Sequence, residues 1–171
     1  MSGTLSELAT EDLLDARILI VDDNAENIGV LERLLNRVGY EQVRSTVDPR
    51  EVEFLFEDFA PDLILLDLHM PHLDGFEVME MLRERIPSGV FLPILVLTGD
   101  TAPDTKRRAL SAGANDFVAK PFEATEVLLR IKNLLETRTL HEELLAHSET
   151  LEEQVQERTR ELAEAQTEIL Y

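Results

Sequence analysis

The sequence predicts an α/β fold with a doubly wound, five-stranded parallel sheet, followed by a long C-terminal helix that forms a coiled coil. Short apolar runs alternate with helical patterns from residue 16 to about residue 136, which is typical of repeated βα units. Three of the five runs are almost entirely apolar, so both faces of their strands should be covered. From about residue 137 onward, apolar residues recur at spacings of four and three, which indicates a heptad seam.

The strands and helices of the sheet region follow from local sequence signals. Strands are predicted at residues 17–21, 42–46, 63–67, 93–98 and 116–120. Helices are predicted to begin near Asn24, Pro49, Gly75, Pro103 and Glu123. Gly39 can end the first helix, because glycine readily adopts the left-handed conformation of a helix C-cap. Asp48 is a suitable cap for the second helix, and Pro49 suits its first turn.

The order of the strands follows from their composition. The second and fifth strands are short or mixed, so they are expected at the edges, and the apolar first, third and fourth strands at the centre. Strands adjacent in the chain usually neighbour each other, and parallel crossovers are right-handed. The order 2-1-3-4-5 satisfies these conditions. It is the flavodoxin-like order, with a ligand crevice between the first and third strands at their carboxyl ends.

Composition excludes several classes of protein. The chain has 171 residues, which is one ordinary domain plus an appendage. It has no cysteine, so disulfides, thiol catalysis and cysteine-bound metals are excluded. A formal net charge of −19 argues against direct binding to nucleic acid or to anionic lipid. The chain contains neither an apolar run long enough to span a membrane nor a signal pattern at its N-terminus, and a cytoplasmic location is expected.

Polar residues end four of the predicted strands. Asp22 and Asp23 follow the first strand, Asp67 ends the third, Thr98 ends the fourth and Lys120 ends the fifth. All five should therefore lie at one edge of the sheet, over the crevice. Three neighbouring carboxylates stay ionised only if a cation compensates them. Because the candidate ligands are all oxygens, the expected ion is Mg²⁺.

A metal ion and an ammonium group beside one carboxylate create a place for an additional anion. Phosphoryl transfer needs this arrangement, because it depends on positioning and on positive charge around the phosphoryl oxygens. Asp67 is then the predicted nucleophile, which forms an acyl phosphate. Thr98 offers its hydroxyl to a phosphate oxygen.

Four stretches, "ILIVDDN", "PDLILLDLHMPHLDGFEV", "PILVLTG" and "GANDFVAKPF", resemble the receiver domain of two-component response regulators. The resemblance covers about residues 16 to 136. It implies that Asp67 is the phosphoacceptor, loaded by a sensor histidine kinase or a phosphotransfer protein. It also implies that Asp23, Asp67 and the backbone carbonyl of His69 bind Mg²⁺, and that Asp22 acts through water.

The same resemblance implies roles for the remaining residues. Lys120 pairs with the phosphate and is joined to Pro121 by a cis peptide bond. Thr98 is the switch hydroxyl, and Phe117 is the aromatic residue that turns inward when the threonine moves. His69 and Asp100 flank the phosphate and set the rate at which it is hydrolysed. The output surface is implied to be formed by helix four, strand five and helix five.

The seam beyond the receiver region predicts a partner. It comprises Leu144, Ser148, Leu151, Val155, Arg158, Leu162, Ala165 and Ile169. Neither glycine nor proline occurs after Pro121, so helix five is predicted to continue to Tyr171. Such a helix needs another helix to cover its stripe, and a second copy of the chain, giving a homodimer, is the simplest partner. Arg158 weakens that seam.

The seam segment also resembles the linkers that precede HD-GYP cyclic-di-GMP phosphodiesterase domains, and similar linkers precede histidine kinase domains. Either a downstream output domain is expected, or the coil is itself the output. The chain contains no HD or GYP sequence, so no phosphodiesterase activity is assigned to it and it is interpreted as a switch rather than an enzyme. The predicted divisions are an acidic N-terminal tail at 1–15, a receiver domain at 16–136 and a coiled-coil helix at 137–171. The tail is either loose or a short helix that docks.

Two alternative functions fit the sequence less well than the phosphoacceptor. A phosphohydrolase with an aspartyl nucleophile needs a second aspartate two residues later, but Leu68 and His69 follow Asp67. A flavodoxin-like cofactor binder needs a phosphate-binding loop rich in glycine or hydroxyl groups after the first strand. Asp22 and Asp23 occupy that loop and repel phosphate in the absence of a metal ion.

Overall fold

The chain divides into two compact units, Met1–Arg138 and Thr139–Tyr171. The computed structural model describes residues 8–170 of them. The strands are β1 Ile18–Val21, β2 Val43–Thr46, β3 Leu63–Leu66, β4 Ile94–Thr98 and β5 Asp116–Ala119. They form one parallel sheet in the order β2-β1-β3-β4-β5, which confirms the predicted order.

Several of the helices begin or end beside residues that favour helix boundaries. They are α1 Ala25–Val38, α2 Val52–Phe59, α3 Gly75–Arg85, α4 Pro103–Ala112 and α5 Ala124–Ile169. The Asn24 side chain accepts the backbone N–H of Glu26 and caps α1, which ends at Gly39 with φ 110°. Asp48 caps a 3₁₀ turn, Pro49–Glu51, that leads into α2.

Helices cover both faces of the sheet. On one face, apolar side chains of α1 and α5 pack against alternate residues of the central strands, such as Ile18 and Leu65. On the other face, α2, α3 and α4 pack against the intervening residues, such as Leu19 and Ile64. The central strands are therefore buried on both sides, as their continuous apolar runs predict. This packing brings the carboxyl ends of the strands to one edge of the sheet.

The described part of the N-terminal segment packs on the face of the sheet that α1 and α5 cover. A 3₁₀ turn at Glu11–Leu13 places Leu13 in the core, where it is 7% exposed. The Leu14 side chain covers Gly39, since a Cβ atom at that glycine would lie 3.1 Å from it. Of the two sequence alternatives for residues 1–15, residues 8–15 adopt the docked one, and residues 1–7 lie outside the described part of the chain.

The second unit consists of the remaining part of α5. From Glu142 to Ile169 every side chain is exposed. The apolar residues of the predicted seam are among them, with Leu144 at 68%, Leu162 at 66% and Ile169 at 83%. The helix ends at Ile169, and Tyr171, the predicted end, lies outside the described residues. Among residues 8–170, no helix has both the length and the apolar character needed to cross a membrane.

Candidate functional site

Four of the predicted site residues lie at the carboxyl ends of neighbouring strands. Asp22 directly follows β1, Asp67 follows β3, Thr98 is the last residue of β4, and Lys120 follows β5. The first three are buried, with Asp67 8% exposed. Because neighbouring parallel strands end at the same edge, the sheet brings residues that are far apart in the chain into one site.

Three carboxylates lie together at this edge. Oxygen atoms of Asp22, Asp23 and Asp67, one from each residue, lie within 4.8 Å of one another. Asp23 is exposed, whereas the other two are buried, so the cluster opens to solvent on one side. An all-oxygen set of this size suits a hard divalent cation such as Mg²⁺. The residues present therefore fit the metal site that the sequence predicts.

Lys120 provides the positive charge within the cluster. Its Nζ atom lies 2.6 Å from Asp22 Oδ2 and 3.4 Å from Asp67 Oδ2, and the ammonium group bridges the two buried carboxylates. The sequence placed Lys120 beside the phosphate on Asp67, and here its nearer partner is Asp22. The peptide bond between Lys120 and Pro121 is cis, as the sequence resemblance implies.

The Asp22 side chain is held by groups from the start of α1. Its Oδ1 atom accepts the backbone N–H of Asn24 at 2.9 Å. The Asn27 amide lies 3.3 Å from Oδ2 and donates to it. These donors fix the orientation of the carboxylate. The sequence gives no signal for Asn27 beyond its position in the first turn of the helix that follows the acidic pair.

The pKa of the Asp67 carboxyl is raised above its ordinary value. Burial raises its pKa, the Lys120 ammonium opposes that effect, and the Asp22 charge adds to the increase. The carboxylate therefore ionises at an energetic cost that additional positive charge would relieve. Such perturbation of a buried carboxyl beside specific charges is typical of functional sites.

Gly75 allows the loop that carries Asp67 to lie against α3. A Cβ atom at Gly75 would lie 2.6 Å from the Asp67 carbonyl oxygen and 2.8 Å from the Leu68 Cα, closer than side chains approach backbone. The Gly75 N–H donates to the Leu68 carbonyl at 2.8 Å. The sequence predicts Gly75 only as a helix start, whereas in the structure this position also fixes the loop after β3.

Thr98 is completely buried, and its backbone and hydroxyl connect two neighbouring loops. Its hydroxyl accepts the backbone N–H of Asp100 at 3.3 Å. Its carbonyl accepts the backbone N–H of Lys120 at 2.8 Å. The threonine thus joins the loop after β4 to the residue that bridges the carboxylates.

Asp100 connects the loop after β4 to the loop after β3. Its carboxylate accepts the Ala102 N–H at 3.0 Å and the Thr105 hydroxyl at 2.9 Å, and it lies 3.3 Å from His69 Nε2. The Ala102 N–H, the Thr105 hydroxyl and His69 lower the pKa of Asp100. The structure therefore brings together His69 and Asp100, the two residues that the sequence placed beside the phosphate.

Phe117 lies in the core face of β5 beneath α4. It is 8% exposed, and Lys106 Nζ lies 5.8 Å from the centre of its ring. In the same basic stretch of α4, the Arg108 guanidinium lies 3.9 Å from the centre of the Phe76 ring. Two of the three cations at residues 106–108 therefore lie over aromatic rings, although all three residues are exposed.

Comparison with known proteins identifies relatives of the first unit. Residues 18–132 match the family model of the response regulator receiver domain. The response regulator MprA of Mycolicibacterium vanbaalenii is 40% identical over 126 residues, which are 74% of this chain and 53% of MprA. The chain therefore spans about half the length of this relative. The chemotaxis protein CheY4 of Vibrio cholerae has a similar structure, with TM-score 0.65 and 31% identity over 70% of this chain and 98% of that one.

A further relative extends into the second unit. A Vibrio cholerae protein named "Probable cyclic di-GMP phosphodiesterase" is 28% identical over 164 residues. The match covers 96% of this chain and 36% of that protein.

Proposed function

The chain belongs to the response regulator receiver domain family, and from this premise we propose that Asp67 accepts a phosphoryl group from a sensor histidine kinase or a phosphotransfer protein. The observation that carries the proposal is the position of the Asp67 carboxyl. It is buried at the end of a central strand, within 4.8 Å of oxygens from Asp22 and Asp23, and 3.4 Å from the Lys120 ammonium. A carboxylate in these surroundings is positioned to react with an electrophilic phosphorus atom.

The proposed cofactor is Mg²⁺. Asp23, Asp67 and the His69 backbone carbonyl would hold it, with Asp22 acting through water. When bound, the ion supplies positive charge that offsets the repulsion between the carboxylates and the incoming phosphoryl oxygens. The close group of carboxylate oxygens supports this assignment.

Each protein group has a defined part in the transfer. An Asp67 carboxylate oxygen forms a bond to phosphorus while the bond from phosphorus to the donor nitrogen breaks, and the donor imidazole leaves with that electron pair. The Lys120 ammonium moves from its pairing with Asp22 toward a phosphoryl oxygen. The Thr98 hydroxyl, which accepts the Asp100 N–H in this state, donates to another phosphoryl oxygen.

The proposed switch follows from the added charge. A phosphoryl group brings about −1.5 to −2 charges at neutral pH. Movement of Thr98 removes the acceptor of the Asp100 N–H at the start of the loop before α4, and Phe117 fills the space that the threonine vacates. Helix α4 buries only Ala109 among its described residues, so its position is the most easily changed. The proposed output surface comprises α4, β5 and the first part of α5.

The remaining proposals concern the protein as a whole. Residues 16–136 act as the receiver domain, and residues 137–171 act as a helix that dimerises as a coiled coil and leads to an output domain. The exposed apolar residues of α5 support dimerisation. We place the protein in the cytoplasm, where its kinase would load it. The similarity to a much longer protein named as a phosphodiesterase supports a downstream output.

Acetyl phosphate and Mg²⁺ provide the direct test. Intact-mass measurement should show the gain of one phosphoryl group, which Asp67→Asn abolishes. Asp58→Asn is a matched control, because Asp58 is an exposed carboxylate that pairs with Arg44 away from the site. A phosphoryl group that persists in Asp67→Asn would contradict the assignment. Steady release of phosphate without an accumulating adduct would favour a hydrolase.

A further inference from the structure

Arg138 anchors helix α5 at the edge of the sheet opposite the aspartates. It is the last residue of the first unit, and its side chain is 16% exposed. Its Nη1 atom donates to the Phe91 carbonyl, shortly before β4. Its Nη2 atom lies 3.4 Å from Asp62 Oδ1, directly before β3. One guanidinium thus contacts the segments leading into two central strands.

Asp62 connects the same arginine to a third segment. Its Oδ2 atom accepts the backbone N–H of Arg17 at 2.8 Å, directly before β1. In return, the Asp62 N–H donates to the Arg17 carbonyl at 2.7 Å. We call these groups, namely the Asp62 carboxylate, the Arg138 guanidinium, the Phe91 carbonyl and the Arg17 N–H, the α5 clamp. The clamp attaches α5 to the beginnings of all three central strands.

The clamp lies where the packing of α5 changes. Leu135, one turn earlier, is 2% exposed, whereas Leu140 is 59% exposed. The apolar contacts before Arg138 hold the helix against the sheet but are not directional. A guanidinium is planar, and its N–H groups have fixed directions, so paired acceptors fix its orientation. Paired acceptors of this kind are suited to fixing the rotation of α5 about its own axis at the end of the receiver unit.

We propose that Asp62 and Arg138 are positioning residues that fix the rotation of α5 at its exit from the receiver and are required for a signal to pass along that helix. The role in passing a signal rests on the proposed phosphoacceptor function, whereas the role in fixing the rotation of α5 does not. The contacts of Arg138 with Phe91 and Asp62 lie at the beginnings of the strands, whereas the aspartate cluster lies at their carboxyl ends, so the loss of Arg138 should leave phosphorylation intact. Without the clamp, α5 can change its rotation at residues 134–142 instead of transmitting a displacement of the output surface.

The first test measures amide hydrogen exchange in the full chain without phosphorylation. In Arg138→Gln, amides within 134–142 should exchange roughly tenfold faster, since charge-assisted hydrogen bonds restrain them. Amides of β1 and β3 should be unchanged, which shows that the fold is retained. Arg138→Lys keeps the charge but loses the planar fork, so an intermediate rate is expected.

Arg130→Gln is the matched control on the same helix. Arg130 pairs with Asp116 and Glu126 rather than with the strand beginnings, so its loss should leave exchange at 134–142 unchanged. Asp62→Asn, which removes the carboxylate charge from the clamp, should reproduce the Arg138→Gln effect. Unchanged exchange at 134–142 in Arg138→Gln would overturn the clamp.

The second test measures transmission. The chain has no cysteine, so Gln156→Cys gives one spin-label site per copy. In the dimer, beryllofluoride with Mg²⁺ should change the distance between the two labels, and Arg138→Gln should abolish that change. Fluorine NMR should show beryllofluoride bound equally in both proteins. A full distance change in Arg138→Gln would overturn the transmission role. If the parent protein binds beryllofluoride without any distance change, the proposed switch and this transmission role both fail, whereas the exchange test still decides the clamp.

Discussion

The two parts of helix α5 differ in what stabilises them. In Ala124–Arg138, four apolar side chains are buried in the core and Arg138 contacts the strand beginnings. In Thr139–Ile169, the apolar side chains are exposed. The first part is helical because tertiary packing stabilises it. The second part has apolar residues at heptad spacing, and it needs a partner surface that covers them in order to be stable.

Charged pairs within the second part do not replace that surface. Arg158 lies 3.2 Å from Glu161, and Arg160 lies 2.7 Å from Glu157. Exposed pairs at such spacings contribute about 0.2–0.5 kcal/mol each. Exposed leucines at heptad spacing are more informative, because burying one side chain against a partner helix contributes about 1.5–3 kcal/mol. The difference teaches that one continuous helix can belong partly to a self-sufficient fold and partly to an interface.

Truncation after Arg138 is the strongest way to separate the two parts. The full chain should be a dimer and residues 1–138 a monomer, because the exposed seam is removed entirely. Light scattering after size-exclusion chromatography measures both masses. Thermal unfolding should show that the shortened chain keeps the midpoint of the receiver unit. A dimer of residues 1–138 would locate the interface on the receiver instead.

Matched leucine substitutions compare the two parts directly. Leu135→Ala removes a side chain that is 2% exposed and should lower the free energy of unfolding of the receiver by about 2–5 kcal/mol. Leu151→Ala, at a residue that is 48% exposed, should leave that free energy unchanged but weaken dimerisation. Urea unfolding of both variants measures the first effect, and sedimentation measures the second. Equal loss of receiver stability in the two variants would contradict the division.

Arg158→Leu sharpens the interpretation of the seam. Arg158 occupies a predicted seam position and is paired with Glu161 of its own helix. A leucine there removes a charge from the interface, so dimer affinity should rise about tenfold. Sedimentation equilibrium gives the dissociation constant. Arg160→Leu, which lies off the seam, is the control, and a similar gain there would argue against the assigned heptad.

The smallest expected effect is a change in the stability of the receiver unit when Asp67 is substituted. Because burial raises the pKa of Asp67, the ionised carboxyl lowers the free energy of unfolding at neutral pH. This destabilisation disappears as the pH falls below the pKa that Asp67 has in the unfolded chain. Asp67→Asn should therefore be more stable than the parent protein at pH 7, with the difference shrinking toward pH 4. Denaturant unfolding without divalent ions measures it, with Asp58→Asn as control. Added Mg²⁺ should reduce the difference at pH 7.

The sheet and its polar edge were predictable because the signals are local. Uninterrupted apolar runs identified the central strands, and polar residues at the strand ends placed Asp22, Asp67 and Lys120 at one edge of the sheet. The preference of Lys120 for Asp22 was not predictable, because it depends on side-chain placement between residues 98 positions apart. The dimer remains a prediction, since its evidence is still the same seam pattern.

Other contacts lacked any sequence signal. Asp62 and Arg138 are ordinary charged residues in the sequence, and only the folded chain shows that they meet at the beginnings of the strands. Gly75 had a visible signal as a helix start, but its close approach to the Asp67 backbone depends on how the loop returns. In each case the information lies in long-range geometry rather than in local composition.

The ammonium bridge between Asp22 and Asp67 has a consequence for variation at position 120. A neutral residue there would remove the ammonium group and at the same time leave two buried acids facing each other. Natural or engineered chains that abandon signalling should therefore discard the acids before, or together with, the lysine. The expected order of loss makes a lone Lys120 substitution the rarest form of an inactive site.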